Sequence, residues 1–67
     1  MNFNEALDAI KKGKKIRRKR WLMTDMVYLV ENKFNSIYHI EYRYLGGCRM
    51  YAASSEDMLA EDWEIAE

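Results

Sequence analysis

Sixty-seven residues allow one domain with a marginal core, because a chain this short buries only about 60% of the surface its unfolded form exposes. One cysteine, Cys48, and one histidine, His39, exclude an intrachain disulfide and a Cys/His structural zinc, which leaves self-association as the expected staple. Formal net charge is zero but segregated: eight of eleven basic residues lie between Lys11 and Arg20, and six of eleven acids between Glu56 and Glu67, a layout suited to attracting a local anion, to neutralising an interface, or to a solvated charged edge.

The first expected element is a helix. Asn2 and Glu5 have capping-box spacing, and Phe3, Ala6, Leu7 and Ile10 form one apolar stripe. Lys11 and Lys12 suit the last turn, and Gly13 supplies a left-handed stop. Lys14 to Trp21 reads as a charged strand with Ile16, Arg18 and Arg20 on one face and Arg17, Lys19 and Trp21 on the other. An arginine sharing the inward face with Ile16 needs an anion or a buried carboxylate; the alternative is an edge strand protected by charge.

Met26 to Val30 reads as a second strand, and Glu31 to Asn35 as a turn. Ser36 to Tyr44 alternates cleanly. A hairpin about Gly46-Gly47 pairs Tyr44 with Arg49 and Tyr42 with Tyr51. One hairpin face then collects Ile40, Tyr42, Tyr44, Arg49 and Tyr51, either as a stacking platform for a base or as the sheet's core or interface side. Ser54 or Ser55 caps a short helical turn through Met58, Leu59 and Ala60, and Asp62 to Ala66 forms a last strand with Trp63 and Ile65 inward. The fold class is therefore α+β: an N-terminal helix packed on a small antiparallel sheet, with a short second helix before the last strand, over residues 1–67 as a single domain.

Little in this pattern asks for catalysis. His39 sits mid-strand beside Glu41 on a polar face, no element activates Cys48, and there is no glycine-rich phosphate loop. No apolar run is long enough to span a membrane, the first residues lack a signal-peptide layout, and the unpaired cysteine suits a reducing compartment. No cofactor is expected. Binding is better served: arginines, indoles and acids cluster in Arg17 to Trp21 and Ser54 to Trp63, a set that suits either a nucleotide-like ligand or a salt-bridged core.

At those two segments the sequence resembles a known family. Phe3-x-x-Ala6-Leu7-x-x-Ile10-Lys11-x-Gly13-Lys14-Lys15-Ile16-x-Arg18-x-x-Trp21, with Ser55-x-Asp57-Met58-Leu59-Ala60-x-Asp62-Trp63-x-Ile65, looks like the second Thoeris anti-defence family of phage proteins. The resemblance implies a homotetrameric sponge in the host cytoplasm that sequesters a cyclic ADP-ribose isomer without cleaving it, with cyclic dinucleotides as a further ligand class of some relatives. It places Arg18, Trp21, Asp62 and Trp63 on motif positions, and Tyr51 where members carry a tryptophan. Arg18 is then expected to meet the phosphates, Trp21 the adenine and Asp62 a ribose hydroxyl, with Trp63 divided between ligand and core. The rival expectation is an accessory protein that binds a host protein or nucleic acid through its basic segment, although balanced net charge disfavours nucleic acid.

Overall fold

Two local motifs bound the first helix, α1 (Phe3–Lys11), in the computed structural model, which describes residues 1–66. The Asn2 side chain accepts from the Glu5 N–H at 2.8 Å while Glu5 Oε1 accepts from the Asn2 N–H at 2.9 Å, completing the capping box. At the other end Gly13 adopts φ +88°, and the N–H groups of Gly13 and Lys14 donate to the carbonyls of Ile10 and Ala9, each at 3.0 Å. This is a Schellman stop. Ala6 and Ile10 are buried and Phe3 packs against the same core, so three of the four expected stripe residues face it; Ala9 packs there too, and Leu7 is half-buried at the margin.

The sheet contains β1 (Ile16–Arg18), β2 (Met26–Asn32), β3 (Ile37–Tyr44), β4 (Gly47–Met50) and β5 (Trp63–Ile65). All neighbours are antiparallel, in the order β4-β3-β2-β1-β5. The short helix α2 (Ser55–Leu59) precedes β5, with the Ser54 side chain accepting from the Asp57 N–H at 3.1 Å. Ile16 and Val27 pair at the sheet centre and, with Ala6, Ile10 and Trp63, make the core. The α+β architecture agrees with the sequence reading throughout.

Four details differ. The first strand stops at Arg18, because the Trp21 N–H donates to the Arg18 carbonyl at 3.0 Å and turns the chain. Arg20 therefore leaves the inward face for solvent, and Trp21 swings onto the helix-covered core instead of alternating with Lys19. The β3–β4 turn is Leu45-Gly46, with Tyr44 opposite Gly47 and Tyr42 opposite Arg49, two residues away from the expected register. A slip of two preserves every face, since side chains alternate with period two. Ile65, expected inward, is 46% exposed, whereas Trp63, two residues earlier on the same edge strand β5, is buried. β2 also runs two residues beyond Val30.

The segregated charges meet within the chain. Antiparallel pairing of β1 with β5 brings the basic segment against the acidic one: Arg17 Nε donates to Glu64 Oε2 at 2.8 Å, Arg18 meets Asp57 and Asp62, and Arg20 pairs with Glu56. Neutralisation inside the fold thus answers part of the charge asymmetry seen in the sequence.

Candidate ligand-binding cleft

Trp21 turns off the end of β1 onto the tyrosine face of the β3–β4 hairpin, and α2 closes the third side. The cleft between them has a volume of about 330 Å³ and is lined by Trp21, Tyr42, Arg49, Met50, Tyr51, Ala52, Ser54 and Asp57. That volume lies at the small end of ligand sites, which run to about 300–1,000 Å³.

Its aromatic wall is closely associated. Trp21 lies 5.3 Å from Tyr42 at 31° and 6.4 Å, edge-on, from Tyr51; Tyr42 and Tyr51 are edge-on at 6.1 Å. The Arg49 guanidinium stands 5.5 Å from the Tyr42 ring centroid. Arg49 is exposed and, among the described residues, forms no ion pair. It is the cation this cleft offers to a ligand.

Behind the wall lies a polar cluster. Arg18 is 7% exposed; its Nε donates to Asp62 Oδ1 at 2.8 Å and its Nη1 to Asp57 Oδ1 at 3.2 Å. The hydrogen bond to Asp62 does most to raise the already high Arg18 pKa, against the opposing effect of burial. Tyr51 Oη donates to Asp57 Oδ2 at 2.6 Å, and burial together with that bond pushes its phenol far above the ordinary tyrosine range. Tyr42 Oη donates to Asp25 Oδ2 at 2.8 Å; burial first, and then this bond, raise its phenol too. Trp63 Nε1 donates to the Asp57 carbonyl at 3.0 Å.

The five residues singled out in the sequence divide accordingly. Trp21 and Tyr51 line the cleft. Arg18 stands behind it with Nε and Nη1 committed to carboxylates, and Asp62 is its partner outside the lining. Trp63 is 1% exposed and belongs to the core. Sequence reasoning left Tyr42, Arg49, Ser54 and Asp57 out of the site. Hairpin parity had already placed Tyr42 and Arg49 beside Tyr51, and the Ser54–Asp57 capping spacing was the signal for the other two.

The Arg18–Asp62 pair has a consequence in acid. Arg18 holds the Asp62 carboxyl below its ordinary value of 3.8. A group depressed on folding contributes stability that is complete above its unfolded value and lost as pH falls through its folded one. The melting temperature should therefore fall as pH drops below about 4, and Asp62→Asn should flatten that part of the profile. An unchanged acid slope in Asp62→Asn would refute the assignment.

The profile of the Tad2-like family, the Thoeris anti-defense 2-like domain, matches residues 1–66 and so spans the middle of the chain as well as both end motifs. No curated protein matches the chain.

Proposed function

The chain belongs to the Thoeris anti-defense 2-like family, and we propose that it is a phage anti-defence protein that captures a cyclic ADP-ribose isomer in the host cytoplasm and holds it without chemical change. The observation that carries the reading is the open aromatic cleft with an uncommitted cation at Arg49. An adenine stacks on indole and phenol faces, and a guanidinium matches phosphate oxygens bidentately. We assign the base to Trp21 and Tyr51 and the phosphates to Arg49. Arg18 and Asp62 hold the site from behind. Retention without turnover is supported by the arrangement of the side chains that could do chemistry: His39 bonds to Glu41 at 2.6 Å, and both lie with Cys48 on the sheet face opposite Tyr42.

Sequestration must be stoichiometric, and sub-micromolar affinity corresponds to roughly 8 kcal/mol or more. A second copy can add charge and surface that one cleft lacks, so the proposal includes a homo-oligomer, a tetramer in its full form. Leu22, next to Trp21 in the chain, and Met50, which lines the cleft, are about two-thirds exposed and provide apolar surface for such contacts. One experiment addresses both parts. The protein is mixed with a cyclic ADP-ribose isomer, passed through a sizing column, and the protein fraction is heated and analysed by mass spectrometry. The expected result is intact ligand released from a species several times 8.1 kDa. A cleaved product would contradict sequestration, and ligand held by an 8.1 kDa species would contradict assembly.

A further inference from the structure

Hydrogen bonds at Asp57 tie α2 to the cleft, together with the ion pairs of Glu56 to Arg18 and Arg20. α2 has five residues and buries none of them. Four hydrogen bonds that involve side chains converge on Asp57 instead: Arg18 to Oδ1, Tyr51 to Oδ2, Trp63 Nε1 to the carbonyl, and the Asp57 N–H to Ser54 Oγ. Its side chain is 14% exposed, and its polar bonds join the buried arginine to the aromatic wall.

Tyr51 is tied at both ends. Its backbone N–H donates to the Ile40 carbonyl at 2.7 Å, just past the end of β4, and its phenol donates to Asp57. With the backbone fixed, the phenol bond adds a directional polar restraint on ring orientation to the edge-on packing against Trp21 and Tyr42. The committed phenol proton also means that Tyr51 offers a ligand its ring rather than a hydrogen-bond donor.

Resting on the binding role given above, we propose that Asp57 is a positioning residue: clamped by Arg18, it holds the Tyr51 ring edge-on to Trp21, so that the stacking wall exists before a flat base enters. Pre-setting the wall spares the ligand the cost of ordering it. The carboxylate acts through Tyr51 rather than by touching the ligand.

The test uses the full chain labelled with 5-fluorotryptophan, whose Trp21 resonance is identified by its loss in Trp21→Phe. Without any ligand, Tyr51→Phe and Asp57→Asn should each shift or broaden the Trp21 resonance. Each should weaken binding of the cyclic ADP-ribose isomer about fivefold, the size of one hydrogen bond. The double variant should be no weaker than the worse single one, as residues acting through one bond are non-additive. An unmoved Trp21 resonance, or losses that multiply, would overturn the proposal. Tyr51→Phe keeps the ring, so it carries the test should Asp57→Asn fail to fold. If the unaltered protein binds no cyclic ADP-ribose isomer, the sequestration reading falls, while the ligand-free resonance still decides whether Asp57 sets the ring.

Discussion

Replacing Trp21 with alanine should weaken capture of the proposed cyclic nucleotide by about tenfold to a hundredfold, since stacking a base on an aromatic side chain is worth about 1–3 kcal/mol. Trp21 also packs against the core, with Trp63 edge-on at 5.3 Å, so some stability is lost with it. Arg49→Ala separates the two effects. Arg49 is exposed and touches the Tyr42 face alone among the described aromatic rings, so its removal leaves the fold intact. Losing a charge-assisted phosphate contact still costs about tenfold or more in affinity. Calorimetry on both variants, with thermal melts alongside, checks the prediction. Full capture by both would move the site elsewhere.

Arg18→Ala behaves in the opposite way, with stability as the first casualty. Removing one partner of a buried ion pair costs about 3–5 kcal/mol, because the surviving carboxylates lose their counter-charge. A 67-residue domain has about 3–10 kcal/mol in all. Urea unfolding should find Arg18→Ala largely or wholly unfolded, and Arg18→Lys should not restore it. A lysine ammonium lacks the planar fork that reaches Asp62 through Nε and Asp57 through Nη1 at once. Normal stability with lost binding in Arg18→Ala would instead make Arg18 a phosphate ligand, as the family motif alone suggests.

The contrast between Arg18 and Arg49 shows what the sequence could and could not tell. That Arg18 leans inward was legible, because it sits two residues from Ile16 in a strand. What it meets there was not, because Asp57 and Asp62 lie 39 and 44 residues away and arrive only through the pairing of β1 with β5. α1 was legible in full, since its cap, its stripe and its glycine stop are all local.

Trp21 was assigned to the cleft but for an incomplete reason. Strand alternation ends at Arg18, and the turn at Arg18–Trp21 delivers the indole to the hairpin. The hairpin register was displaced by two, yet its tyrosine face was right, since a slip of two moves no side chain to the other face. Arg49 therefore stood in the correct company from the start. Its availability depends on tertiary pairing, because Glu56, Asp57, Asp62 and Glu64 are taken by Arg17, Arg18 and Arg20.

The most direct measurement is calorimetry of the unaltered protein against a panel of cyclic ADP-ribose isomers, with cyclic dinucleotides included. One isomer should bind with sub-micromolar affinity and a whole-number stoichiometry per oligomer. Absence of binding to every isomer at tens of micromolar would contradict sequestration.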